Sequence, residues 1–176
     1  MANPAQPLEQ GNRNRWGARM GPSDQRFMVM MVPHHDGAIA MAELALTRAT
    51  RAEIKELARN IKVSQSRENE QMRSWYRQWY GSELPSWEGG IGWGWHHGGM
   101  MGPWMGTNLE ALRRAANFDR AFIEQMIPHH QMGVMMATME LNNSKRPEMR
   151  KLAAEMVRVQ SEEINKMQSW YRSWYP

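Results

Sequence analysis

The chain has 176 residues, a formal net charge of +4 and no cysteine. This length suits one compact domain, and the missing thiols exclude disulfides, zinc knuckles and cysteine catalysis. The positive charge does not indicate nucleic-acid binding, because the basic residues are mixed with Glu as on a solvated helix face and no recognised motif accompanies them. The sequence has no apolar run long enough to span a membrane, but it is rich in methionine (18 residues) and tryptophan (9 residues).

Residues 1–22 precede the first amphipathic pattern, and we expect them to form an N-terminal arm. The rest of the chain contains an internal repeat. When the chain is moved by 95 positions, MVPHH at 31–35 falls on MIPHH at 126–130, and SWYRQWY at 74–80 falls on SWYRSWY at 169–175. This duplication predicts that residues 23–176 form a single domain. Its parts are repeat 1 (23–81), a Gly/Trp-rich linker (82–106) and repeat 2 (107–176).

Each repeat is predicted to form two helices, because its apolar residues recur at intervals of three and four. Thr50 with Glu53, and Thr107 with Glu110, have the spacing of capping boxes at helix starts. The connections within the repeats are short, which predicts antiparallel hairpins. The expected fold is all-α: an antiparallel four-helix bundle of the ferritin-like kind, made of two duplicated helical hairpins joined by the Gly/Trp-rich loop.

The six histidines occur as three adjacent pairs. His34–His35 and His129–His130 occupy equivalent positions on the apolar face of the first helix of each repeat. Four imidazoles in a bundle core must find partners, because a buried polar atom without one is costly. We interpret these four residues as metal ligands. The simpler alternative, core histidines satisfied by hydrogen bonds, suits a lone histidine better than a duplicated pair.

Two methionines accompany these pairs. Met31 precedes His34 by three residues and Met126 precedes His129 by three, so each repeat offers a thioether and two imidazoles within about one helical turn. This set favours a soft monovalent ion, Cu(I) or Ag(I). Zinc stays open, although no cysteine or carboxylate completes a convincing tetrahedral set for it. Iron or manganese would be expected with a Glu-x-x-His motif, which is missing at both pairs. The other methionines on the helical stripes are interpreted as packing residues.

Four polar residues lie on the apolar stripes of the second helices: Gln65, Glu68, Gln160 and Glu163. Counting across each hairpin turn places them opposite the histidine pairs, where they would orient the imidazoles and fix their tautomers. The alternative is that they lie at the edge of the stripe and reach solvent.

The third pair lies in the Gly-rich linker. His96, His97, Met100 and Met101 are candidates for a secondary, looser and more exposed copper site. A connector without a metal function is the alternative reading of this segment.

At the paired-His motifs and the SWYR motifs, the chain resembles the ferritin-like four-helix family catalogued as a domain of unknown function. Its tandem form is most similar to the family's copper metallochaperones of the cyanobacterial periplasm. The resemblance covers about residues 23–81 and 107–176. It implies Cu(I) or Ag(I) bound in the core by His34, His35, His129 and His130, weaker Cu(II) sites on the surface, and a periplasmic or extracellular location.

The expected function is therefore that of a copper metallochaperone or buffer in copper homeostasis and resistance, without catalysis. A copper sensor or efflux protein is its expected partner. We expect a secretory signal peptide to have been removed, since the first residues lack an apolar stretch; a cytoplasmic location stays open. Two other functions also stay open: a ferritin-like metal-dependent oxidase, and a helical interaction module whose histidines respond to pH.

Overall fold

A computed structural model of the chain describes residues 22–85 and 107–176. These residues form five helices, four of them long. The helices are α1 (Ser23–Arg48), α2 (Ala52–Tyr80), the short α3 (Leu109–Arg114), α4 (Phe118–Asn143) and α5 (Pro147–Trp174). The predicted all-α four-helix bundle is thus confirmed. The first 21 residues and residues 86–106 of the predicted linker lie outside the described residues.

Each repeat folds as an antiparallel hairpin, in which α1 packs against α2 and α4 against α5. The turns are only three residues long, at 49–51 and 144–146, so each pair of helices must lie side by side. The hairpins meet where α1 packs against α4.

Polar contacts at the two ends of the bundle show that α1 and α4 are antiparallel. Asp119, at the start of α4, accepts hydrogen bonds from Thr50 N (3.0 Å) and Arg51 N (3.1 Å), just beyond the end of α1. At the other end, Arg146 Nε donates to Asp24 Oδ2 (2.8 Å). Since α2 therefore ends at the opposite end of the bundle from the start of α4, the two hairpins are joined across its length, as in ferritin-like bundles with one long crossover.

Neither predicted capping box is correct. Arg51 occupies the N-cap position of α2, while Thr50 Oγ1 donates to the carboxylate of Asp119 across the hairpin interface. The helix predicted to start at Thr107 begins instead after Asn108, whose side chain accepts a hydrogen bond from Ala111 N. The carboxylate of Asp119 satisfies the backbone at the start of α2 from another helix, so no local cap is needed there.

The core consists of two apolar clusters separated by a layer of polar side chains. The first cluster joins the end of α1 and the start of α2 to the start of α4, and it contains Ala38, Ile54, Ile61 and Phe122. The second cluster joins the start of α1 to the start of α5. The polar layer between them consists of buried or half-buried residues at the middle of the four long helices: His34, His35, Gln65, Glu68, Asn69, His129, His130, Gln160 and Glu163.

Within the described ranges, no helix combines the length and the apolar character needed to cross a membrane.

Candidate metal centre

The fold brings the four core histidines together in the polar layer. The ring of His34 stacks on that of His129, with centroids 3.8 Å apart across the α1–α4 interface. Within each adjacent pair the ring centroids are 6.3 Å apart. The second histidine of each pair is fully buried, at 0% exposure for His35 and His130, while His34 is 1% and His129 7% exposed.

Burial keeps the imidazoles of His34, His35 and His129 neutral. It lowers the pKa of His34 to about 4 and that of His35 to about 3. The pKa of His129 falls to about 2, because repulsion by His34 and then by His130 adds to its burial. A neutral imidazole carries one N–H and one lone pair, so the layer presents lone pairs at neutral pH.

The tautomer of His35 follows from its neighbour Asn69. The amide nitrogen of Asn69 donates to Asp36 Oδ1 (2.8 Å), so its oxygen is the acceptor facing the ring. His35 Nδ1–H therefore donates to Asn69 Oδ1 (3.1 Å). This leaves the lone pair on Nε2, which has no hydrogen-bond partner among the described residues and lies 3.5 Å from Glu68 Oε2.

His130 has the opposite tautomer. Its Nε2–H donates to the carboxylate of Glu163 at 2.8 Å, and its Nδ1 has no hydrogen-bond partner among the described residues. The copies differ because the position equivalent to Asn69 is occupied by Ile164. Without an amide at that position, the imidazole bonds to the carboxylate instead.

The stacked pair has unused ring nitrogens as well. His34 Nε2–H donates to the backbone carbonyl of His129 (3.0 Å), which leaves the lone pair on Nδ1. Both ring nitrogens of His129 lack a hydrogen-bond partner within the described part of the chain. Each of the four imidazoles thus keeps one lone pair that no described donor satisfies.

Of the four polar residues predicted to orient the histidines, the two glutamates contact them. Glu163 accepts from His130, and Glu68 faces His35. Burial raises the pKa of Glu68 to about 7, and repulsion by Glu163 contributes. The alternative in which these residues reach solvent fails for Gln65, Gln160 and Glu163, which are at most 6% exposed.

The side chains of the two glutamines are buried, and no hydrogen bond joins either side chain to a histidine ring among the described residues. Gln65 Oε1 and both polar atoms of the Gln160 side chain lack partners among the described residues. Gly133 makes room for this arrangement. A Cβ at Gly133 would collide with Gln160 Oε1 and would lie only 3.1 Å from His34 Cε1.

The methionines beside the pairs are fully buried on opposite sides of the polar layer. Met31 packs in the second apolar cluster and Met126 in the first. Each lies about one helical turn from the layer. Among the described residues, no group of three or more His, Asp or Glu side chains is arranged to hold a metal ion. The candidate ligands His96, His97, Met100 and Met101 lie outside the described residues.

Sequence reasoning missed Asn69. This residue is polar and lies four positions after Gln65 on the same stripe. That spacing could have indicated a further polar contact of the histidine pair. The comparison of the repeats concealed it, because its counterpart is Ile164.

Several known proteins are similar to this chain. CopM, solved in apo, Cu(I)-bound, Cu(II)-bound and Ag-bound forms, is 46% identical in its Cu(I)-bound form, over 87% of this chain and 98% of CopM, with a TM-score of 0.75. A DUF305 fragment from Deinococcus radiodurans is 26% identical over 85% of this chain and 95% of its own, with a TM-score of 0.69.

Another relative matches this chain over a shorter stretch. Uncharacterized protein L153 of Acanthamoeba polyphaga mimivirus is 37% identical over 51 residues, and the match spans 34% of that protein's length. The model of one family, a domain of unknown function named DUF305, matches residues 24–171. This match covers most of the chain and both hairpins, so the chain belongs to the DUF305 family.

Proposed function

We propose that this protein binds Cu(I) or Ag(I) in the polar layer of its bundle and acts as a copper metallochaperone or buffer, without catalysis. The observation that carries this proposal is the set of unsatisfied lone pairs on His34, His35, His129 and His130. A buried polar atom without a partner is costly, and a soft cation would satisfy several of these atoms together.

The protonation state of the layer supports metal binding. Metal ligands must be deprotonated, and protons compete with the metal for each imidazole. Because the pKa of His34, His35 and His129 lies well below the usual range, an arriving ion displaces no proton from these rings at neutral pH.

The ligand chemistry supports a soft monovalent ion. The site combines neutral imidazoles with the thioethers of Met31 and Met126 one helical turn away, in a chain without thiolates. Cu(I) and Ag(I) accept as few as two ligands, so one histidine from α1 and one from α4 suffice. This requirement suits a layer in which the described carboxylates and imidazoles form no ready group of three.

Similar proteins lend support from outside the chain. CopM has been solved with Cu(I), with Ag and with Cu(II) bound, at 46–48% identity to this chain. We propose the same class of ligand here, with weaker Cu(II) sites on the surface and a role in copper homeostasis and resistance outside the cytoplasm. A looser site at His96, His97, Met100 and Met101 stays a prediction.

One observation favours a second candidate, a ferritin-like metal-dependent oxidase. Glu163 lies 2.8 Å from His130, and Glu68 lies 3.5 Å from His35. Carboxylate next to imidazole is the ligand pairing of harder ions. In this arrangement, however, Glu163 accepts a hydrogen bond from the imidazole, which is how a carboxylate orients a histidine.

Competition titration of the untagged protein tests the proposal. Under reducing conditions we expect Cu(I) and Ag(I) to bind more tightly than Zn(II) and Fe(II), with no consumption of oxygen in the presence of Fe(II). Equal or tighter binding of Fe(II) contradicts the proposal and favours the oxidase.

Substitution of the four histidines by alanine locates the site. We expect the variant to stay helical and to lose core Cu(I) binding. A matched control replaces Met28 and Met41 by leucine, since these residues are equally buried but belong to the apolar clusters. Full stoichiometry in the histidine variant would place the site elsewhere in the chain.

A further inference from the structure

Helix α4 carries a row of methionines that the bundle core does not bury. Met135 is 50% and Met139 60% exposed, while Met132 is half-buried and packs against the second apolar cluster. We call Met132, Met135 and Met139 the methionine row. The equivalent positions of repeat 1 are Gly37, Ala40 and Leu44, so only the second repeat has these thioethers.

The row leads from solvent to the histidine core. Its members are three and four residues apart, so neighbouring side chains lie on one face of the helix, roughly 5–6 Å apart at their Cβ atoms. Met132 follows His129 by three residues, and Met139 lies about 15 Å further along the helix than His129. The row therefore begins at the surface and ends one turn from a core histidine.

His129 is the core histidine best suited to receive an ion from outside. At 7% it is the most exposed of the four, and both of its ring nitrogens lack partners within the described ranges. On the α1 side, a Cβ at Gly37 would lie 2.7 Å from Thr107 Oγ1 and 3.3 Å from His129 Nε2. The glycine therefore lets Thr107 and His129 approach α1 closely, and a larger residue would crowd both.

A role in helix formation explains a single exposed methionine but not this row. Methionine is a good helix former, and isolated exposed apolar residues are common on protein surfaces. Met30, 39% exposed on α1, is such a single methionine, although it also lies one turn from a core histidine, His34. The methionine row instead combines three polarizable thioethers on one face with an end at His129, and thioethers select soft monovalent ions.

We propose that the methionine row captures Cu(I) or Ag(I) at the surface and passes the ion to His129. This inference rests on the proposed function of the histidine core. The transfer is a ligand exchange, in which a metal–sulfur bond breaks as a metal–nitrogen bond forms at a lone pair of His129. The ion keeps its oxidation state, and no proton leaves the neutral ring.

Uptake kinetics test the row. The variant Met132→Leu/Met135→Leu/Met139→Leu preserves side-chain volume and helix propensity. Cu(I) transfer from a coloured Cu(I) chelate is followed by stopped-flow absorbance. We expect transfer to be about tenfold slower, with the final stoichiometry unchanged and the equilibrium affinity within about twofold of the parent. Met30→Leu is the matched control, and we expect it to keep the parent rate. A parent rate in the triple variant, or equal slowing by Met30→Leu, overturns the proposal.

A second measurement separates this proposal from the function of the core. Methyl NMR of methionine-labelled protein with His34, His35, His129 and His130 replaced by alanine monitors the row without the core ligands. We expect added Ag(I) to shift the methyl signals of Met135 and Met139 but not that of Met30. If the parent takes no metal into its core, the proposed function fails. The methyl shifts alone then show whether the methionine row binds Ag(I). Unshifted Met135 and Met139 signals overturn it.

Discussion

At the scale of single residues, the question is whether Met31 and Met126 are ligands or packing residues. Both are fully buried one turn from the histidines, on opposite sides of the polar layer. Replacing both by leucine roughly preserves volume. If their thioethers bind the ion, Cu(I) affinity should fall while its pH midpoint stays unchanged, because thioethers do not titrate in this range.

The measurement for the two methionines is Cu(I) competition titration at several pH values. The control is the Met28→Leu/Met41→Leu variant, whose substitutions are equally buried. A parent-like affinity in the Met31→Leu/Met126→Leu variant would reduce the ligand set to the histidines.

Buried ionisable residues should control the acid stability of the metal-free protein. Unfolded histidines take up protons near pH 6.5, but the pKa of His34, His35 and His129 in the fold is about 4, 3 and 2. The unfolded state therefore binds more protons below pH 6.5, and the free energy of unfolding decreases as the pH decreases. Glu68 and Glu140 oppose this loss, because burial raises the pKa of each to about 7 and the folded state takes up their protons first.

Because three histidines outnumber two glutamates, we expect the free energy of unfolding to fall gradually from pH 6.5 to 4.5 and steeply below 4.5. Urea unfolding over this pH range measures it. The variant Glu68→Gln/Glu140→Gln removes the opposing contribution, so its stability should decrease more steeply than that of the parent between pH 6.5 and 4.5. A pH profile identical to that of the parent would contradict this balance.

At the scale of secondary-structure elements, Asp119 ties the two hairpins together. It accepts hydrogen bonds from Thr50 N, Thr50 Oγ1 and Arg51 N. Asp119→Ala leaves these donors without their acceptor, and we expect a loss of about 2–4 kcal/mol in the free energy of unfolding. Asp24→Ala is the matched control at the equivalent position. It removes the contact with the half-exposed Arg146 and should cost about 1 kcal/mol or less.

Chemical denaturation of the Asp119→Ala and Asp24→Ala variants at neutral pH checks this difference. Equal losses would show that the backbone contacts of Asp119 add nothing beyond a simple ion pair.

The helices and their pairing could be predicted from sequence. Periodicity is visible within a single segment, and the internal repeat is visible when two segments of the same chain are compared. The same signals placed His34 and His35 opposite Glu68 in the correct hairpin. Contacts between the two hairpins could not be predicted from these signals. The bond from Thr50 to Asp119 joins residues 69 positions apart, and the stacking of His34 on His129 joins residues 95 apart. Local capping rules consequently failed at Thr50, where a distant carboxylate replaces the cap.

At the scale of the whole molecule, metal binding should stabilise the bundle, because the proposed ligands come from both hairpins. His34 and His35 lie on α1, and His129 and His130 lie on α4. An ion that binds only the folded state adds about 2.7 kcal/mol of stability at a free concentration 100 times its Kd. For a chain of this length, that corresponds to a rise in Tm of roughly 5–10 °C.

Thermal unfolding with and without Ag(I), which avoids redox chemistry, measures this stabilisation by circular dichroism. The control is the variant with alanine at His34, His35, His129 and His130, whose Tm should not respond to Ag(I). Variants that retain histidines on only one helix distinguish a bridge from a local site. If the ion bridges α1 and α4, His34→Ala/His35→Ala and His129→Ala/His130→Ala should each lose most of the rise in Tm. If either double variant keeps the full rise, the ion is held within one hairpin, and binding does not connect the two halves of the bundle.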